Sequence, residues 1–271
     1  MKTFLVPFDF SPAAQSGLEY AAQLAHRTGA DLLLLHVIKN EADELLKRTA
    51  VKLLLVCNTL SDKYKISVEY CSEKGNPVDI IPRVARLRKT GLIIMGSGGE
   101  STLQKIFLGS NTGGVITRAQ VPVLMVPEGI IFNNIRRIVF ASDFHNSDID
   151  DLKGLVQLAA VFRAQLNVLH IYPEDMKDHW HREEMKKFID EVQGRIDYNE
   201  ISFEMIQGDE AVERLKEYLD SGGADILALA THSRKYMDKL FAGSFTDSIL
   251  YKSVVPVLVY HYKKDAAVKL F

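Results

Sequence analysis

The feature that most restricts how this chain can fold is that it repeats. Displaced by 134 residues, the sequence falls back onto itself at landmarks spread along its length. Asp9-Phe10 lands on Asp143-Phe144, Leu24-Ala25 on Leu158-Ala159, and Leu35-His36 on Leu169-His170. Further along, Lys105 meets Lys239, Phe107 meets Phe241, Gly109-Ser110 meets Gly243-Ser244, and Thr112 meets Thr246. Pro122-Val123-Leu124 then meets Pro256-Val257-Leu258. One constant offset over that span means two copies of one domain in tandem. The first domain is expected over 1–130 and the second over 135–262, with a tail at 263–271 and the join near Glu128–Asn134. In a chain of 271 residues, each copy is long enough to bury its own core.

Within each copy, strand-like and helix-like patterns alternate. In the first, Thr3–Phe8 is an apolar run, and Ser11-Pro12 offers an N-cap followed by proline at the first helical position. Leu18, Ala21, Ala22, Leu24 and Ala25 recur at helical spacing, and Gly29 supplies a stop. Leu32–Val37 is continuously apolar, as in a strand buried on both faces. Then come a helix over Glu41–Leu60, a strand over Ile66–Cys71, a helix over Pro77–Lys89 and a strand over Gly91–Met95. A short helix from Asn111 to Arg118 and a strand at Val123–Val126 complete the copy.

The second copy repeats the order, with strands at Ile138–Ala141, Leu166–Ile171, Ile201–Gln207, Ile226–Leu229 and Val257–Tyr260. Its helices fall at Asp148–Arg163, Glu174–Ile196, Ala211–Leu219 and Phe245–Tyr251. Strands alternating with helices predict an α/β architecture, two tandem doubly wound five-stranded parallel sheets with helices on both faces. Ligands of such sheets sit beyond the carboxyl ends of the strands, where the strand order reverses. Asp9, Val37 and Gly96 all lie just past expected strand ends, so the topology carries them to one edge.

Composition removes several classes of function. A net charge of −2 gives no electrostatic reason to expect nucleic acid or an anionic membrane. The N-terminal apolar run is cut by Pro7 and Asp9, too short for a signal peptide, and no stretch reaches the ~18 apolar residues of a membrane span. Cys57 and Cys71 do not form a metal-type cluster and fit a reduced, cytoplasmic chain.

The stretch from Met95 to Thr112 carries the chemistry. It lacks the Gly-x4-Gly-Lys-Ser/Thr of a P-loop, and its glycines follow the fourth strand, not the first, as a dinucleotide fingerprint would require. Its own spacing is Gly96, two residues, Gly99, nine residues, Gly109-Ser110. Bare main chain at Gly96 and Gly99 lets amide N–H groups approach an anion. Gly109-Ser110 opens a short helix whose free N–H groups favour phosphate, and Ser110 and Thr112 add hydroxyls. Glycine turns around an ordinary loop are the alternative.

These residues resemble the universal stress protein family. The Gly-x2-Gly-x9-Gly-Ser motif, Asn111, Thr112, Pro122–Val126, the opening "LVPFDFS" and the "LLHV" of Leu34–Val37 carry the likeness, which spans nearly the whole chain. It implies an adenine-nucleotide α-hydrolase-like fold and, for members with the glycine motif, bound ATP. ADP and AMP are the alternatives, with Mg2+ as a companion. The resemblance puts Pro7, Phe8 and Asp9 near the adenine and ribose and Val37 against the base. Gly96, Ser97, Gly99, Gly109, Ser110, Asn111 and Thr112 would hold the phosphates. Asp9 could accept from ribose hydroxyls, or simply cap the first helix. Gly98 stands where family members often carry a longer polar residue, so Lys105 or a metal would have to supply positive charge.

The second copy departs further. Gly96 becomes Ala230, Gly99 becomes Ser233 and Pro7 becomes Ala141, while Asp143, Ile171, Gly243, Ser244 and Thr246 outline a degenerate second site. Side chains at 230 and 233 add bulk where phosphate needs backbone, so this half is expected to bind nucleotide weakly or not at all. No catalytic set emerges. Ser97–Ser101 only loosely matches the loop of ATP pyrophosphatases, and no serine has an evident His/Asp partner. His179 and His181, two apart, point to different helix faces, so Asp178–Glu184 reads as a solvated helical surface with no metal site. Binding in a regulatory, stress-response module is favoured over slow phosphoryl transfer or a purely structural role. The halves are expected to pair through Val123–Val126 and Val257–Tyr260, two apolar edges, and the resemblance adds a homodimer.

Overall fold

The computed structural model describes residues 2–38, 43–97, 112–173, 178–230 and 255–260. The chain divides into two compact units, Met1–Phe132 and Asn133–Phe271. The first unit runs β1 (Thr3–Pro7), α1 (Pro12–Thr28), β2 (Asp31–Ile38), α2 (Asp43–Tyr64), β3 (Val68–Lys74), α3 (Pro77–Leu87), β4 (Leu92–Ser97), α4 (Thr112–Arg118) and β5 (Val123–Pro127). The second runs β6 (Arg137–Ala141), α5 (Asp148–Phe162), β7 (Gln165–Tyr172), α6 (Asp178–Arg195), β8 (Ile201–Gln207), α7 (Ala211–Asp220), β9 (Ile226–Ala230) and β10 (Val257–Tyr260). Strand order is β3-β2-β1-β4-β5 in the first and β8-β7-β6-β9-β10 in the second, every one of these pairings parallel. Each unit is therefore a doubly wound α/β sheet. The helix expected over Phe245–Tyr251 lies outside the described residues, as does Glu174 at the expected start of α6.

Local chemistry explains the well-marked boundaries. Ser11 caps α1, its Oγ accepting from the Ala14 N–H at 3.2 Å, and Pro12 fills the first turn, where no N–H partner is needed. Gly29 ends the helix at φ 69°, the left-handed conformation in which a side chain would be strained. Its counterpart in the second unit is Arg163, which ends α5 in the same conformation at φ 53°. Leu32–Leu35 of β2 and Val168–Leu169 of β7 are buried, and Phe4, Leu5, Phe140 and Val139 fill the middle of each sheet.

β3 differs from expectation. It begins two residues later than Ile66 and continues to Lys74, because its ends follow β2, from Leu32↔Val68 to Ile38↔Lys74. An edge strand takes its length from the neighbour that supplies its hydrogen bonds, and its own apolar pattern stops short of that.

α2 lays Leu53, Cys57 and Leu60 against the sheet. Burial first, and the Glu69 carboxylate second, push the Cys57 thiol from 9.0 to about 11. The folded state thus holds this proton more tightly, and the contribution to stability, intact below the ordinary thiol range, falls as pH rises through about 11. At pH 8, a maleimide or iodoacetamide time course is expected to show Cys57 reacting ~100-fold slower than a free thiol, with the full rate recovered in denaturant. Equal rates in both conditions would contradict a buried thiol.

Candidate functional site

β1 ends before both of its neighbours do, and that makes a notch. Its last pairing with β2 is Pro7↔Leu35, while β2 runs on to Ile38. On the other side β1 pairs with β4 only at Phe4↔Leu92 and Leu5↔Ile93, after which β4 continues to Ser97 beside β5. The chain builds β1, β2 and β3 in one direction and then crosses to β4 and β5 in the other. The notch above β1 is therefore the switch point of the sheet, bounded by the overhanging ends of β2 and β4.

Pro7, Phe8, Asp9, Val37, Gly96 and Ser97 come together around this notch. Phe8 is buried, donates its N–H to the Leu35 carbonyl at 2.9 Å, and offers its own carbonyl to the His36 ring at 2.9 Å. A carbonyl can only accept, so His36 Nδ1 carries the hydrogen. His36 is thus a structural residue that pins the floor of the notch. Asp9 is exposed, and its Oδ1 accepts from the Ser11 N–H at 3.0 Å and the Ser11 Oγ–H at 2.6 Å. Among the described residues, its second oxygen takes no hydrogen bond. Asp9 thus organises the start of α1 and still has acceptor capacity facing outward.

Between them Phe10 adopts φ 65°, a conformation rare for an aromatic residue. Its ring lies 4.8 Å from that of Phe8 and 5.8 Å from that of His36, with Lys52 Nζ 5.9 Å from its centroid. Phe10 stays 39% exposed, which leaves an aromatic face at the rim. The repeat marked Phe10 by its match with Phe144 but not its conformation, because backbone strain of this kind depends on the turn that the helix start imposes.

Gly96 has a role that spacing could not reveal. A Cβ there would lie 1.8 Å from the Ala13 carbonyl oxygen and 2.8 Å from the Ala14 nitrogen. The reciprocal contact comes from Gly17, whose added Cβ would sit 2.5 Å from the Gly96 nitrogen. The first turns of α1 rest directly on the end of β4, backbone on backbone. Gly17, not singled out in the sequence, is the signal that could have found this contact, since a glycine inside a helix costs about 1 kcal/mol unless close approach requires it. Gly99, Gly109, Ser110 and Asn111 lie outside the described residues, and of Thr112 only its place at the start of α4 is described.

The second unit keeps the frame and fills the notch. His170 Nδ1 donates to the Ser142 carbonyl at 2.8 Å, and Phe144 repeats the positive φ at 56°. Here, however, β6 and β9 stay paired from Ile138↔Ile226 to Ala141↔Leu229. Phe144 stacks on His170 at 4.5 Å, and Phe188 of α6 packs 5.2 Å from Phe144. His181 comes within 5.4 Å of His170 and 4.8 Å of Tyr172. His181 is buried, which corrects the expectation of a solvated surface at that position: α6 turns it inward to complete an aromatic layer over the strand ends.

At the places of Ala14 and Gly17 stand Asp148 and Asp151, both buried. Asp148 Oδ2 accepts from the Ser142 hydroxyl and from the His145 N–H at 3.3 Å. Tyr260 ends β10 fully buried with an unpartnered hydroxyl, and burial, then the Asp151 carboxylate, push its phenol well above the ordinary range. Of the degenerate set, Asp143 is half-buried beside Ser142 and Ile171 is fully buried in β7; Gly243, Ser244 and Thr246 lie outside the described residues. Among the described residues, no group of three or more His, Cys, Asp or Glu is arranged to hold a metal ion, and no helix is long and apolar enough to cross a membrane.

Comparison with known proteins agrees with this architecture. The model of the universal stress protein family matches twice, at residues 1–127 and 134–261. A universal stress protein of Methanocaldococcus jannaschii is 29% identical over 154 residues, covering 46% of this chain and 94% of that protein. One from Synechocystis is 22% identical over 294 residues and covers 96% of this chain and 100% of its own. The crystal structure of a universal stress protein from Archaeoglobus fulgidus superimposes with a TM-score of 0.73 at 22% identity, covering 97% of each chain. That last likeness establishes a shared fold along the full length.

Proposed function

Because the chain belongs to the universal stress protein family and carries its domain twice, we propose that it is a stress-response regulatory protein that holds an adenine nucleotide in its N-terminal unit. The observation that carries this reading is the switch point of that unit, which its described residues leave open. There β2 and β4 overhang β1, Asp9 presents a carboxylate oxygen without a partner among the described residues, and the spaced glycine motif of the sequence follows from β4.

Asp9 is suited to ribose hydroxyls because Ser11 fixes one oxygen and leaves the other to accept. Phe8 and Val37 supply apolar walls for the base, and α4 begins directly after Asn111, where helix N–H groups would meet phosphate. ATP is the nucleotide proposed, with ADP and AMP as competitors. The second unit lacks the open notch, and the aromatic layer of Phe144, His170 and His181 occupies the corresponding space. Function in this reading is binding: occupancy of one unit biases the surface the protein shows to others.

Equilibrium dialysis of the full chain against ATP, with and without magnesium, tests it. The expected result is about one nucleotide per chain, lost in Gly109→Val, and at a hundredfold excess over Kd a stabilisation of about 2.7 kcal/mol. Two equivalents of similar affinity would overturn the assignment to one unit. No binding of ATP, ADP or AMP at millimolar concentration would overturn the reading itself.

A further inference from the structure

α2 is two-sided in an unusual way. Its inner side buries Leu53, Cys57 and Leu60. Its outer side presents Arg48, Val51, Leu55, Asn58 and Asp62, spaced alternately three and four residues apart and all exposed. That spacing keeps them on one stripe of the helix. Val51 is 59% exposed, Leu55 60%, and Leu54 beside them 50%. Thr59, next to Leu55, turns its hydroxyl back onto the Leu55 carbonyl at 2.8 Å, so it adds no demand for water to this face. The counterpart helix α6 shows no large exposed hydrophobic side chain among its described residues. The apolar stripe is thus a property of one copy and not of the repeated domain.

We propose that this stripe is a contact between two copies of the chain, α2 packing antiparallel on α2 about a two-fold axis near Leu55. The charge pattern selects that occupant. Arg48 lies seven residues before Leu55 and Asp62 seven residues after it, so each stands about 10 Å from the axis. An antiparallel pair sets Arg48 of each copy against Asp62 of the other, twice, with Val51, Leu54 and Leu55 closed between them. A parallel pair would set Arg48 on Arg48. Neither residue has an ionic partner among the described residues. Lys63 would come opposite Lys47, but Lys63 is already held by Glu19 at 2.6 Å, which offsets its charge. This contact does not depend on the nucleotide reading.

Sedimentation velocity on the full chain at micromolar concentration tests it. The wild type is expected to be a dimer and Leu55→Lys a monomer whose far-ultraviolet circular dichroism spectrum is unchanged, because the position is exposed and its replacement leaves the fold intact. Arg48→Glu alone should weaken dimerisation by about tenfold or more, since two pairs become repulsive together. The double change Arg48→Glu with Asp62→Arg should recover most of that loss, which only reciprocal pairing allows. A monomeric wild type, a dimer indifferent to Leu55→Lys, or a double variant no better than Arg48→Glu would each overturn the proposal.

Discussion

Gly96→Val is expected to destabilise the N-terminal unit by roughly 3 kcal/mol, the larger end of what overpacking costs. Even a single methyl would sit 1.8 Å from the Ala13 carbonyl oxygen, and the listener on the other side is main chain, which cannot rotate away as a side chain can. Either α1 lifts from β4 or β4 bends toward β5, and both take the notch apart. Gly129→Ala is the companion measurement. Gly129 has φ 81° but nothing within 4 Å of an added Cβ, so its cost is the conformational ~1 kcal/mol alone. Urea unfolding followed by circular dichroism reads both. If Gly96→Val matched Gly129→Ala, the close approach of α1 to β4 would be refuted. The same variant should also lose nucleotide binding, a consequence separable from stability by measuring at low temperature.

Asp148→Ala carries the second large effect, about 3 kcal/mol and confined to the C-terminal unit. Asp148 is 1% exposed, and its carboxylate receives the Ser142 hydroxyl and the His145 amide, while Ser142 Oγ accepts from the Phe144 N–H at 2.9 Å. Removal of the acceptor leaves a buried hydroxyl and an amide without their partner, and desolvated donors are costly. Asp148→Asn keeps one acceptor oxygen and should lose less. A double-mutant cycle with Ser142→Ala should return a coupling of about 1–2 kcal/mol, because the two side chains bond directly. Independent, additive losses would mean that the network does not act as a unit.

The pair of variants also exposes how the two copies diverged. In the first, glycines at 17 and 96 let helix and strand touch through bare backbone. In the second, Asp151 and Ala230 stand at those places and cannot make that contact; Asp151 is buried, and its carboxylate acts on the buried Tyr260 phenol. Loss of Gly96 was visible in the sequence as added bulk at Ala230. The aromatic layer from α6 was not, since Phe188 reaches Phe144 and His181 reaches His170 only through packing across the domain.

By itself the sequence determined what is local or repeated. The constant offset showed two copies; Ser11-Pro12 and Gly29 bounded α1; the alternation of apolar runs with helical periodicity settled a parallel α/β sheet; and the glycine spacing pointed to the end of β4. These features are legible because capping, periodicity and turn chemistry act between residues a few positions apart. Tertiary structure alone decided what depends on distant neighbours. β2 set the length of β3, Ala13 explains why Gly96 must lack a side chain, His36 reaches back to the Phe8 carbonyl, and β1 pairs with β4 over two residues where β6 pairs with β9 over four. A one-dimensional pattern records which residues prefer a strand or a helix. It does not record how closely two elements approach, because that distance is fixed only when both faces are packed together.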